Sequence, residues 1–302
     1  MQGSASTDLV ELTARLISND GVEQSNWPGL TFFRASHPVP RSHAVYRPCL
    51  CFVAQGKKRL FVDDEVLEYD SGTYLVVSLP LPVEGAIIKA TARRPCYAVL
   101  LEVDTAVLSQ LTLQMAEEGW TTGRVAKATR GVFTAAMTGP LKTALAQFLA
   151  TLDSPMDRRV LGPGAMRAVL YQVLLGEQGD RLRALALADS GAQRITRVMH
   201  YIQENLDQPL DVPSIAEKAG MGVSTFHHAF KAATAMSPIQ YQKKLRLHRA
   251  RSLMISDGLA AGEAAFNVGY SSQSQFSREF KRMFGMPPSR VAESVLYELP
   301  ER

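Results

Sequence analysis

Two sets of residues in the C-terminal third of the chain could read a polar, anionic partner. One is Gln273, Ser274, Gln275, Ser277, Arg278, Lys281 and Arg282; the other is Ser224, Thr225, His227, His228 and Lys231. Gln and Arg can make two coplanar hydrogen bonds at once to the edge of adenine or guanine. Lys and Arg near a helix end can meet phosphates, which position a protein without reading sequence. A different chemistry is open to three thiols, Cys49, Cys51 and Cys96. On a strand, Cys49 and Cys51 face the same side, and Cys96 can join them from another strand. They are either small core residues or a sensor of electrophiles or oxidants. A sensor needs a neighbour such as Arg47 or Lys57 to favour the thiolate. Lys57, Lys58, Arg59, Arg93 and Arg94 either solvate strand ends or hold an anionic effector such as a nucleotide. The effector-binding candidates are therefore Arg47, Cys49, Cys51, Lys57, Arg59, Arg93 and Cys96. No catalytic set is visible. His37 and His43 straddle two prolines with no third His nearby, so no metal or other cofactor is expected.

The outward faces need a scaffold, and an internal repeat supplies one. FHHAFKAATAMSP (Phe226–Pro238) recurs without a gap as FSREFKRMFGMPP (Phe276–Pro288). Each copy follows a Gly preceded four residues earlier by Ala: Ala216/Gly220 and Ala265/Gly269. A short apolar helix, a Gly turn and a second helix with a polar outer face make a helix-turn-helix unit, whose second helix enters the major groove. In the first unit Val212, Ile215, Ala216, Ala219, Phe226, Ala229 and Phe230 point inward. In the second, Ala261, Ala264, Ala265, Val268, Phe276, Phe280 and Phe284 do so. QYQKKLRLHRARSLMI (Gln240–Ile255) joins the units as one helix. At about 1.5 Å per residue it spans roughly 24 Å. With the recognition helices added, one chain reaches toward the ~34 Å between successive major-groove faces.

Charge follows the repeat. Arg194–Glu293 holds 13 Lys/Arg against 8 Asp/Glu, so the net excess of the whole chain, +4, sits there. A polyanionic partner calls for such a bias. Three cysteines fit a reducing compartment. With no signal-peptide pattern and no run of 18 apolar residues, a cytoplasmic protein off the membrane is expected.

Upstream, DLVELTARLI (8–17) reads as a short capped helix. From Leu30 to about 103, seven or so β-rich runs are punctuated by Pro, Gly and Asp, with a tight hairpin at Val62–Glu65. With no helix between them they suggest a sandwich or a small barrel. At Asp104 the period becomes helical. Helices follow at 140–152 and 157–176, broken at Gly162-Pro163-Gly164. They either pack on the β-domain or form a dimer interface. Ala188–Gly191 reads as a linker, and everything after it as helix. The domains are therefore 1–188 (β part 30–103, helical part 104–186) and 189–302.

The phrases LDVPSIAEKAGMGVSTFHHAFKAATAMSPIQYQKKLRLHRARSLM and AAFNVGYSSQSQFSREFKRMFGMPPSR make residues 193–293 resemble the DNA-binding domain of AraC/XylS-type transcription regulators. RASHPVPRSHAVYRPCLCFVAQGKKRLF, YDSGTYLVVSLPLPVEG and PCYAVLLEVD make residues 30–103 resemble that family's N-terminal domain. The resemblance implies an α+β chain: a cupin-like β-barrel followed by helices, then an all-α domain of two tandem helix-turn-helix units. It also implies a homodimeric regulator that binds double-stranded DNA under control of a small effector, with RNA polymerase as a further partner, and no enzyme. Its base-contacting positions map onto Ser224, Thr225, His227 and His228, and onto Gln273, Ser274, Gln275, Ser277 and Arg278. His227 and His228 would make readout by the first unit sensitive to pH. Ala235 replaces the family's usual cap Gly, and Gly262 replaces a better helix former, at about 1 kcal/mol each. The alternative is a cupin-type metal-binding or enzymatic protein with an appended helical domain.

Overall fold

Alternating apolar runs become strands and 3.6-period runs become helices, in the order the sequence presents them. The computed structural model describes residues 8–120, 130–186 and 191–293. The chain opens on α1 (Leu9–Leu16), where the Asp8 carboxylate accepts from the Val10 N–H at 2.8 Å. Nine strands follow: β1 (Gly21–Gln24), β2 (Leu30–Ala35), β3 (Val39–Tyr46), β4 (Cys49–Gln55), β5 (Lys57–Val62), β6 (Glu65–Asp70), β7 (Thr73–Val77), β8 (Leu81–Lys89) and β9 (Cys96–Glu102). The hairpin forms where expected, with Val62 opposite Glu65 and Asp63 at φ +54°. Asp enters that left-handed region more readily than most residues because its short side chain bonds locally.

Helix α2 (Thr105–Glu117) is capped by Asp104, and a tenth strand, β10 (Val132–Ala136), follows it. Then come α3 (Gly139–Ala150), α4 (Pro155–Val160), α5 (Gly162–Leu175) and α6 (Gly179–Ala186). The break between α4 and α5 falls at Leu161, and at Gly162, which opens α5, a β-carbon would strike the Trp27 ring. Pro163 sits in the first turn of α5, where its missing N–H leaves no hydrogen bond unmade. The expected linker lies almost wholly outside the described residues. Among the described residues the C-terminal part holds helices and no strand: α7 (Gly191–Glu204), α8 (Val212–Lys218), α9 (Val223–Thr234), α10 (Pro238–Ser256), α11 (Ala261–Asn267) and α12 (Gln273–Phe284), then a 3₁₀ turn at Pro288–Glu293. Among the described residues no helix is long and apolar enough to cross a membrane.

The ten strands form two antiparallel sheets that do not close on each other. Their orders are β1-β2-β9-β4-β7-β10 and β3-β8-β5-β6. Two strands outside the expected β region, β1 and β10, extend the two edges of the larger sheet. The sheets face one another: the Lys58 ammonium of β5 lies 4.1 Å from the Phe33 ring centroid of β2. Strand β4 is buried from Cys49 to Val53, so it reads as a continuous apolar run rather than an alternating one.

The apolar core is not divided as the two-domain reading would have it. One cluster runs from the sheets through α3 and α5 into the first helix-turn-helix unit, taking in Ile215, Phe226, Phe230 and Tyr241. The second unit has its own cluster around Phe276, Phe280, Ala264 and Val268.

Candidate nucleic-acid interface, and the interior of the β-domain

The two units repeat one backbone device. At the end of α8 the Met221 N–H donates to the Ala216 carbonyl, and at the end of α11 the Tyr270 N–H donates to Ala265, both at 3.0 Å. Gly220 and Gly269 between them take φ +62° and +84°. This is the left-handed helix end, and it explains the repeated Ala-x-x-x-Gly. At Gly269 a β-carbon would also strike the Asp207 carbonyl. The recognition helices α9 and α12 end alike. Ala235 at φ +65° and Gly285 at φ +75° each donate their N–H to a lysine carbonyl, Lys231 at 2.8 Å and Lys281 at 2.9 Å. Ala235 therefore adopts the glycine conformation in spite of its β-carbon.

Buried phenylalanines set the rotation of each recognition helix. Phe226 and Phe230 stack at 5.6 Å, and Phe276 and Phe280 at 5.4 Å; all four are fully buried. The opposite faces are open. Ser224, Thr225, His228, Lys231, Gln273, Ser274, Gln275, Arg278, Lys281 and Arg282 are exposed, while His227 and Ser277 are half-buried. The structure thus gathers the twelve expected residues on two equivalent faces. Gln275 is steadied from below, donating at 3.3 Å to Glu279. Glu279 also accepts from Tyr270 and pairs with Lys243 at 2.5 Å. Burial opposes its charge, but these bonds hold its carboxyl below the usual range.

Helix α10 frames both units. Ser237 and Gln240 close a capping box at its start. Arg246, which sequence reasoning overlooked, donates from Nε to the Leu206 carbonyl at 2.6 Å, from Nη2 to Gln208 at 2.9 Å and from Nη1 to Gly269 at 3.1 Å. One guanidinium therefore ties the end of α7 to the turn of the second unit. Leu245, Leu247, Ala250 and Met254, on the side of α10 whose apolar spacing with Leu253 marks it as buried, are buried, and Leu253 is half-buried; Tyr241, Gln242, His248 and Arg251 are buried too. Gln242 is held by the Leu206 and Gln208 carbonyls, whereas Tyr241 and His248 are covered by the β-domain. The Tyr241 hydroxyl donates to the Pro80 carbonyl at 3.0 Å, and the Gly131 N–H donates to the Ala233 carbonyl at 2.8 Å. Phe284, read as core of the second unit, is half-buried and shared. Its ring meets His43 of β3 at 5.1 Å and His248 at 5.5 Å. Burial, then the nearby His43, Arg251 and Lys244, push His248 down to about 3. Burial also lowers His43, against Glu84 and a hydrogen bond to the Met283 carbonyl. Beside this seam lies a cleft of about 430 Å³, walled by His43, Phe61 and Glu84 on one side and Lys243, Lys244 and Arg282 on the other. Arg282 therefore borders both the cleft and the outward face of α12.

The effector candidates do not assemble into one site. Cys49, Cys51 and Cys96 are buried, and none is paired in a disulfide. Arg47 and Arg93 are exposed, and Lys57 and Arg59 pair on the outer side with Glu68. The lysine beside the thiols is Lys58, only 4% exposed, with its ammonium 4.0 Å from Cys51 Sγ. Alternation could have found it: Lys58 shares its phase in KKRLFV with Leu60 and Val62, which are buried. Among the described residues no three His, Cys, Asp or Glu side chains converge as a metal site.

Comparison with known proteins bears on both parts of the chain. The family described as AraC-type transcriptional regulator N-terminus matches residues 26–181, and a helix-turn-helix domain family matches residues 215–294. LumQ of Photobacterium leiognathi, a probable transcriptional regulator, is 32% identical over 111 residues, covering 36% of this chain and 45% of LumQ. The transcriptional activator RhaS of Escherichia coli is 23% identical over 150 residues, covering 49% of this chain and 52% of RhaS. The chain spans about half the length of these curated relatives. Among solved structures, ToxT of Vibrio cholerae bound to an unsaturated fatty acid aligns at a TM-score of 0.57 and 9% identity, over 90% of this chain and 98% of that one. ToxT bound to (E)-4-(8-methylnaphthalen-1-yl)but-3-enoic acid gives 0.58 and 10%, over 91% and 99%. These neighbours share the whole architecture, β-domain and helical domain together.

Proposed function

The chain belongs to the AraC-type transcriptional regulators, and on that premise we propose that it binds specific double-stranded DNA sequences as a homodimer, under control of a small organic effector. The observation that carries the reading is the pair of equivalent faces on α9 and α12, held outward by buried Phe pairs and closed by the same left-handed cap. The second face supplies the bidentate side chains Gln273, Gln275 and Arg278, with Lys281 and Arg282 for phosphates. The first face contributes Ser224, Thr225, His227, His228 and Lys231. ToxT has been solved with fatty-acid and aryl-butenoic ligands; for this chain a small-molecule effector is the corresponding proposal, with the β-domain as its receptor. RNA polymerase is the further partner such a regulator addresses, and the cytoplasm its compartment. The division at 188/189 is functional rather than physical, because the core of the first unit continues into the β-domain.

Selection from random-sequence duplexes at two salt concentrations tests the reading. A recurrent motif should be enriched at about 50 mM salt, with affinity falling steeply as salt rises. Failure to enrich any sequence refutes it.

A further inference from the structure

The interior of the β-domain holds a group that DNA binding does not require. Lys58 is buried between the two sheets, and among the described residues no carboxylate contacts it. A buried ammonium needs a counter-charge. Burial opposes the Lys58 charge, and the ionisable groups around it that can offset this are Cys51, Tyr46, Cys96 and Cys49, Cys51 foremost. Burial pushes Tyr46 up to about 12, Cys96 up to about 11, and Cys49 and Tyr69 well above their ordinary ranges. Those four keep their protons at neutral pH. The thiol that Nζ reaches is Cys51, whose Sγ lies at 4.0 Å.

We propose that Cys51 and Lys58 form a peroxide-responsive covalent site that closes as a sulfur–nitrogen bond between the two sheets. The Cys51 thiolate attacks one oxygen of a small hydroperoxide. Sulfur is oxidised by two electrons to the sulfenic acid. The O–O bond breaks, and the leaving oxygen takes a proton from the Lys58 ammonium to depart as water or an alcohol. Lys58 is then a neutral amine beside an electrophilic sulfur. Its nitrogen displaces the sulfenic hydroxyl, which leaves with an amine proton as water, giving a sulfenamide without further redox change. The oxidant must be small, since Cys51 is 0% exposed. A disulfide does not compete. Cys49 and Cys51 point the same way from one strand, which holds their β-carbons about 6.6 Å apart, beyond the ~3.5–4.5 Å a disulfide needs. Cys96 lies four ladder positions from Leu100, the residue opposite Cys51. Bond formation draws β5 toward β4. Because β5 pairs with β8, Phe61 opposite Glu84, the strain reaches the wall of the cleft that faces α10.

The test needs no DNA, so it stands or falls separately from the DNA-binding reading. The full chain is treated with hydrogen peroxide, digested and analysed by mass spectrometry. The expected product is a cross-link between the peptides carrying Cys51 and Lys58, lighter by two hydrogens and released by dithiothreitol. Lys58→Met should abolish it and leave a longer-lived sulfenic acid, seen as several-fold stronger labelling of Cys51 by a dione probe. If the wild-type protein instead gives sulfinic acid, a Cys49–Cys51 disulfide or unmodified Cys51, the proposal is overturned, and that readout requires no variant to fold.

Discussion

Removing one hydroxyl tests whether the two halves of the chain are docked in solution. Tyr241 is fully buried, and its hydroxyl donates to the Pro80 carbonyl, 161 residues away, at 3.0 Å. Burial pushes the phenol far above its ordinary range, so it remains a donor at any accessible pH. Tyr241→Phe keeps the ring, which packs on Phe230 at 5.5 Å, and deletes only the hydrogen bond. The Pro80 carbonyl is then buried without that partner, which costs about 1–3 kcal/mol. Because one apolar cluster joins the β-domain to the first unit, the loss should appear in the global unfolding free energy. Urea titration followed by far-UV circular dichroism and by tyrosine fluorescence would measure it, with the two probes coincident. If Tyr241→Phe changes stability by less than about 0.5 kcal/mol, the value typical of a surface substitution, the hydroxyl faces water and the docking argument fails.

Further outcomes follow from other contacts. Arg278→Ala should weaken specific DNA binding by about 1–3 kcal/mol and relax preference at one or two base pairs, whereas Lys281→Ala should weaken all duplexes about equally; competition assays with single-base-pair variants separate the two. Acid should loosen the seam. The His248 pKa in the folded protein is about 3, below the ordinary 6.5, so the unfolded chain binds the proton more tightly. Stability is then fully present above about pH 6.5 and falls as pH drops toward 3. At pH 5 the loss is about 2 kcal/mol. His248→Gln should remove that component of the slope in urea titrations from pH 7 to 5, leaving any from His43, Glu84 and other groups. Gly262→Ala should raise stability by about 0.5–1 kcal/mol, because the atoms nearest the new β-carbon are those of the Gln273 side chain, at an ordinary contact distance of 3.5 Å. Gly269→Ala should lower it by more than 2 kcal/mol, since φ +84° and the Asp207 carbonyl both oppose a β-carbon; thermal melts of the two variants should move in opposite directions.

Much of the helical half is written in short-range pattern. The Ala-x-x-x-Gly turns, the Phe spacing, the cap at Ser237 and the strain at Ala235 each depend on residues within five positions, so the linear sequence shows them. The same holds for Asp8, Asp104 and the Val62–Glu65 hairpin. Contacts that pair residues far apart carry no periodic signature. That β1 and β10 join the larger sheet, that Lys58 rather than Lys57 meets the cysteines, and that His248 and Arg251 are buried on α10 all depend on which surfaces come together. The sequence by itself determined two helix-turn-helix units and which side chains they turn outward, because a helix fixes its own faces. Only the tertiary structure decided that the first unit shares its core with the β-domain while the second keeps its own. That choice rests on Tyr241 reaching Pro80 and Gly131 reaching Ala233, bonds that form only once both surfaces are folded and dry.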